Sequence, residues 1–229
     1  MTWKQIFTSS IGRKLIMGLS GIFLILFLVV HVGLNATIWA NDGGEMFNKA
    51  AHFMGAMIVI RIMEIGLFFF IFLHAIQGLL LEATNRSKRA KGYAKSYGNS
   101  GSKWYSRSMG LLGTIILLFL IIHWMQFWIP SRFTGVHETS YPGDTEKIHD
   151  LYGLMLSTFS NLWVVVIYVL GCISLGYHLA HGFQSAFRTL GVHNKRYLIL
   201  LSGIGYSFSV IVSLAFAMMP ISMYVGWVK

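Results

Sequence analysis

Five long runs of apolar residues, separated by short polar stretches, dominate the pattern along this chain. They cover roughly residues 14–39, 56–83, 108–129, 154–187 and 197–226, and each is long enough to cross roughly 30 Å of hydrocarbon. An isolated strand would leave its backbone unsatisfied in lipid, so each run predicts a transmembrane helix. The second run opens with Arg61 and Glu64, i,i+3 neighbours able to pair on one helix face. No internal repeat and no low-complexity tract interrupts the pattern. The expectation is an all-α membrane protein with a single domain over residues 1–229, in which four of the five helices form a bundle.

The polar stretches set the orientation. Lys4, Arg13 and Lys14 lie in the N-terminal segment, at or before the start of the first run. Arg86, Lys88, Arg89, Lys91, Lys95, Lys103 and Arg107 lie between the second and third, and Arg188, Lys195 and Arg196 between the fourth and fifth. With five spans all three basic segments fall on one side. The opposite loops carry Asp42 and Glu45, then Glu138, Asp144, Glu146 and Asp150. The positive-inside rule puts the N-terminus in the cytoplasm and Lys229 outside. Segment 84–107, rich in Gly, Ser, Lys and Tyr, reads equally as a solvated basic loop and as a docking surface for a cytoplasmic partner.

Composition agrees: 55% of the 229 residues are hydrophobic and only 11% charged, with a mean hydropathy of +0.62, values foreign to a soluble domain. The net charge of +10 would suit nucleic acid, but its restriction to one set of loops argues against that partner. The single cysteine, Cys172, lies in an apolar run and excludes an intramolecular disulfide framework and any cysteine-based metal cluster. The first run is too long for a signal-peptide core and lacks a small-residue cleavage site, so no cleavable signal is expected.

Histidine carries the chemistry. Of nine histidines, His52, His137, His149 and His193 lie in loops or near helix ends and read as exposed polar side chains. His31, His74, His123 and His178 lie deep in the first four runs, with His181 one turn after His178. An ionisable group at membrane depth is costly and marks a candidate site. A lone membrane histidine is as readily a packing residue; four on four helices are not. At about 1.5 Å rise per residue, His31 lies roughly 26 Å and His123 roughly 22 Å from the inner ends of their spans, His74 and His178 roughly 14 Å. The histidines therefore sort into an outer pair, His31 and His123, and an inner pair, His74 and His178, about 10 Å apart in depth. Depth hardly separates His178 from His181. Bis-imidazole ligation saturates a haem iron for electron transfer, and a helical bundle is where such cofactors sit. Gly78 and Gly182 follow His74 and His178 by four residues, on the same helix face, and clear space beside them. The outer pair has Asn35 and Phe127 at those positions.

These features resemble the membrane cytochrome b subunit of bacterial succinate:quinone oxidoreductases (succinate dehydrogenase or fumarate reductase), in the form with one five-helix polypeptide. The resemblance rests on Ser10-Ile11-Gly12-Arg13-Lys14 leading to Gly21 and His31, on Leu73-His74-Ala75, on His123, and on His178 with Gly182 closing at Leu190-Gly191. It implies two haems b in the bacterial inner membrane, the distal one on His31 and His123 and the proximal one on His74 and His178. It implies two cytoplasmic partners, a flavoprotein with covalent FAD and an iron–sulfur protein, and menaquinone as the usual quinone. The complex would belong to the respiratory chain and the tricarboxylic acid cycle. Some members carry a carboxylate two residues before the helix IV ligand, linked to proton movement; here that residue is Gly176.

A quinone near the outer haem needs a polar group for proton exchange, and Trp39, Asn41, Glu45, His52 and Glu64 are the candidates. Haem propionates on the inner side would reach Arg13, Lys14 or Ser20. Two other readings compete: a dihaem cytochrome b of a hydrogenase, formate dehydrogenase or nitrate reductase, and a haem-free histidine-relay transporter. The last expects helices broken at mid-membrane, whereas Pro130, Pro142 and Pro220 lie outside the spans or near their ends.

Overall fold

A computed structural model describes residues 9–87 and 103–228. Lys4 and four of the loop cations (Lys88, Arg89, Lys91 and Lys95) fall outside the described residues, as does most of the expected docking segment. Helix α1 (Ser10–Ala36) runs into a 3-10 turn, Thr37–Ala40. It is followed by α2 (Glu45–Ala56) and α3 (Ile58–Ser87). The one-turn helix α4 (Trp104–Arg107) leads into α5 (Met109–His123). Beyond a two-residue β-ribbon, Glu138–Thr139 with Ile148–His149, come α6 (Leu151–Phe159), α7 (Leu162–Thr189) and α8 (Lys195–Tyr224). Five helical stretches are long and apolar enough to cross a membrane: 10–40, 58–87, 109–134, 162–189 and 195–224. The protein is a multi-pass membrane protein of five spanning helices, as the apolar runs predict.

Three boundaries differ from the sequence reading, each for a local reason. The fourth span begins at Leu162, not near 154. Asn161 breaks the run, because its side chain accepts a hydrogen bond from the Trp163 amide at 2.9 Å and starts a new helix. The stretch before it becomes the separate helix α6, capped by Asp150 at the Gly153 amide. Second, α2 is a distinct helix, parted from α3 by the extended residue Met57. Third, the third span runs on to Thr134 through two wider turns, Trp124–Trp128 and Pro130–Thr134, which close by bonds from Ile129 N to Trp124 O and from Gly135 N to Pro130 O. Pro130 has no amide hydrogen to continue the regular ladder. This extension carries Arg132 into reach of α3.

The four histidine-bearing helices form a closed square. Helix α1 packs on α3 and α7, and α5 packs on the same two, so α1 faces α5 and α3 faces α7 across the diagonals. Helix α8 lies outside the square, chiefly against α7 and also against α1. Small residues allow these close approaches, as membrane helix pairs require. A Cβ on Gly176 would stand 2.8 Å from Ser213 Oγ, and one on Gly205 2.8 Å from a Phe183 ring carbon. Position 176 is therefore a packing position against α8 with no room for a carboxylate.

The basic residues Arg13, Arg86, Lys103, Arg107, Arg188 and Lys195 cluster at one end of the bundle, here called the basic end. The ribbon and α2 cap the other. Asn48, 1% exposed, ties this cap together. Its Nδ2 donates to Tyr141 Oη at 2.7 Å and to Asp150 Oδ1 at 2.9 Å, while its Oδ1 accepts from the Tyr152 amide at 2.9 Å. Lys49 bridges Glu45 at 2.7 Å and Asp144 at 2.8 Å, and its ammonium holds the Asp144 carboxyl below its usual value. Gly44, at φ +84°, lies where a Cβ would meet the Tyr152 ring at 2.2 Å, so no other residue fits. Asn48→Ala strips partners from several buried groups at once and is expected to cost about 2–4 kcal/mol, read as a lowered midpoint of thermal unfolding in detergent.

Candidate cofactor site

His31, His74, His123 and His178 stand half-buried on the four helices, and the square brings them together in two pairs. The rings of His31 and His123 have centroids 5.9 Å apart. Those of His74 and His178 are 6.1 Å apart. Each pair spans one diagonal, α1 to α5 and α3 to α7. Two diagonals of one square cannot be bridged at the same height, so the pairs must sit at different levels.

Contacts across helices give that separation directly. On α1, a Cβ at Gly21 would lie 3.5 Å from His74 Cε1, and His31 follows ten residues later, about 15 Å along the helix. On α5, a Cβ at Gly113 would lie 3.6 Å from His178 Cε1, and His123 again follows ten residues later. Two helices thus return the same figure, about 15 Å, in place of the 10 Å counted from span ends. Span ends float by a turn or more; contacts between helices do not.

Each imidazole has its own surroundings. Ser20 Oγ stands 3.0 Å from His74 Nδ1. The Asn35 amide nitrogen lies 3.3 Å from His31 Nδ1 and donates to the His31 carbonyl at 2.8 Å. Tyr168 donates its hydroxyl to Gln126 Oε1 at 2.7 Å, and Tyr168 Oη is also 3.5 Å from His123 Nδ1. His178 Nδ1 is buried without a partner. Phe27, Phe119, Phe127 and Phe216 wall the outer pair, with ring centroids 5.1 to 5.8 Å from the nearer histidine. The inner pair is flanked instead by Gly21 and Gly113. A Cβ on Gly182 would meet nothing within 4 Å, while one on Gly78 would meet only the Met17 methyl at 3.7 Å.

The donor set and the spacing define what such pairs hold. A metal–imidazole bond is about 2 Å and the ring centre lies about 1 Å behind the nitrogen, so two imidazoles sharing one metal stand with centres about 6 Å apart. Both pairs meet this distance. Among the described residues no three His, Cys, Asp or Glu side chains group into a metal site. Two imidazoles alone are too few donors for a bare ion, which takes four or more. They suffice for a metal that brings its remaining ligands in a macrocycle. His178, not His181, is the helix α7 imidazole that faces His74.

The quinone candidates do not converge. Trp39 donates from Nε1 to Ser222 Oγ at 3.2 Å. Glu45 is engaged by Lys49, and His52 lines a shallow exposed groove with Lys49, Asp144 and Glu146. Asn41 occupies a left-handed turn position at φ 56°. Glu64 is different: it is half-buried within α3, takes Arg132 Nε at 3.1 Å on Oε1 and Arg132 Nη2 at 3.0 Å on Oε2, and also accepts from Trp128 Nε1. Its expected partner Arg61 lies farther off, at 3.9 Å. Sequence reading missed Arg132, Trp128, Gly113, Tyr168 and Gln126, because none declares its partner by spacing along the chain. Ser20, a candidate for haem propionates, instead meets an imidazole.

The fold and the paired imidazoles define a multi-pass membrane protein with two histidine pairs stacked in a helical square. No family model matches the chain, and no solved structure matches it. Among curated proteins the chain is similar to the succinate dehydrogenase cytochrome b558 subunit of Bacillus subtilis (strain 168), 27% identical over 173 residues, 75% of this chain and 73% of the relative. The resemblance to the membrane cytochrome b subunits of succinate dehydrogenases, drawn from five spans and four histidines, is borne out by this match.

Proposed function

We propose that this chain is the membrane anchor and electron-transfer subunit of a succinate:quinone oxidoreductase, binding two haems b. The observation that carries the proposal is the pair of imidazole couples, at 5.9 and 6.1 Å, on the two diagonals of one square. His31 and His123 are the ligands at the ribbon end, His74 and His178 those toward the basic end. When bound, a bis-imidazole haem supplies reversible one-electron transfer without an open position for oxygen. The chain's own residues hold the four rings and separate the two levels by about 15 Å.

The basic end faces the bacterial cytoplasm, in keeping with the positive-inside rule, and receives the iron–sulfur and flavoprotein partners. With haem held at both pairs, His74 and His178 would present the level nearer those partners and His31 and His123 the level nearer a quinone, for which menaquinone is the candidate. Glu64 is the group we assign to that quinone site. It is the carboxylate candidate held within a span, and the Phe68 ring, one turn along, lies tilted against Trp124 and Trp128 with centroids 5.0 and 4.7 Å away. Flat apolar walls beside one polar group suit an aromatic ligand.

A reduced-minus-oxidised visible spectrum of the purified chain, with haem counted per polypeptide, tests the reading. Two low-spin b-type haems are expected. A folded chain that takes up no haem would overturn the proposal and favour the histidine-relay reading.

A further inference from the structure

We propose that Ser20 is a positioning residue that fixes the ring state of His74 and thereby sets the potential of the inner haem. The proposal rests on the dihaem reading and deepens it. A serine hydroxyl has one hydrogen and two acceptor lone pairs. Ser20 Oγ is 2.7 Å from the Ile16 carbonyl, which only accepts, so the hydrogen goes there. The second contact, 3.0 Å to His74 Nδ1, must then be received from an Nδ1–H. That assignment leaves the His74 lone pair on Nε2, the nitrogen free to ligate. It also makes serine an acceptor toward a metal ligand, the arrangement that orients the ring and raises its basicity. The chain from His74 through Ser20 to Ile16 strengthens each bond in turn.

Three features single this contact out. Ser20 is 1% exposed, so water does not compete for it. The opposite ligand of the same pair, His178, has a buried Nδ1 without any partner, so the hydrogen bonding of this pair passes through Ser20. The outer pair is held differently, by an amide at 3.3 Å and a phenol at 3.5 Å, both longer. A more basic imidazole favours ferric over ferrous iron, so the intact bond holds the inner haem at a lower potential than the ligands alone would give.

The test is a redox titration of both haems in the assembled complex, with electron paramagnetic resonance of the oxidised low-spin centres, for wild type, Ser20→Ala and Ser20→Thr. Ser20→Ala is expected to keep two haems and to raise the midpoint of one. At the wild-type midpoint the ferrous-to-ferric ratio of that haem should rise about three- to tenfold, the worth of one hydrogen bond. Its resonance should shift while the other centre stays fixed. Ser20→Thr, which keeps the hydroxyl, should return both readouts toward wild type. Equal movement of both haems, no movement of either, or haem loss from both variants would overturn the proposal. Absence of haem from the wild type would instead overturn the dihaem reading itself, so the two failures are distinct.

Discussion

Replacing His178 by alanine is expected to remove the haem at the inner level and leave the outer one. In the proposed site His178 supplies one of two ligands, and its counterpart across the diagonal is His74, 6.1 Å away. Alanine has no donor to offer, and the neighbouring Gly113 offers no side chain in its place. His181, one turn on, is not the imidazole facing His74. Haem content should therefore fall from about two to about one per chain, with the remaining spectrum low-spin. On the proposed route, from the partners to quinone by way of the inner level, succinate-driven quinone reduction should be abolished with it. His74→Ala should behave in the same way. His181→Ala is the control and should retain both haems. If His181→Ala lost the inner haem and His178→Ala kept it, the ligand assignment on α7 would be reversed.

Arg132→Leu is expected to destabilise the protein by about 3–5 kcal/mol, because it leaves the Glu64 carboxylate in an apolar span without its fork of donors. Arg132 meets both carboxylate oxygens, at 3.1 and 3.0 Å, whereas Arg61 stands 3.9 Å off. The companion Glu64→Gln keeps an acceptor for Trp128 and removes the charge. The double variant Arg132→Leu, Glu64→Gln should recover part of the loss, since neither ion then remains alone. Thermal unfolding of the four proteins in detergent completes the cycle, and additive losses would dismiss the pair as a coupled unit. The same Glu64→Gln chain tests the quinone assignment. A group that exchanges protons with quinone is worth about a hundredfold or more in rate. Quinone turnover per haem should fall on that scale while both haem spectra stay unchanged. Unaltered turnover would leave Glu64 a structural anion only.

The sequence by itself determined the five spans, their alternation and the four histidines within them. Hydrocarbon demands long apolar helices, the basic loops fall on one side of them, and an imidazole buried in such a helix stands out against its apolar neighbours. His31, His74, His123 and His178 were legible for that reason, as was their sorting into two levels. Tertiary structure alone decided the rest. Partners along one helix are set by a period of 3.6 residues, but partners on different helices depend on which helices adjoin and how each is rotated. The closed square places facing imidazoles on diagonals and so spaces the two levels by about 15 Å. Packing turned His178, not His181, toward His74. It set Ser20 of α1 against His74 of α3, and the wider turns after Trp124 brought Arg132 of the third span onto Glu64 of the second. Each of these contacts joins residues more than fifty positions apart, and no local pattern of hydrophobic and polar positions encodes them.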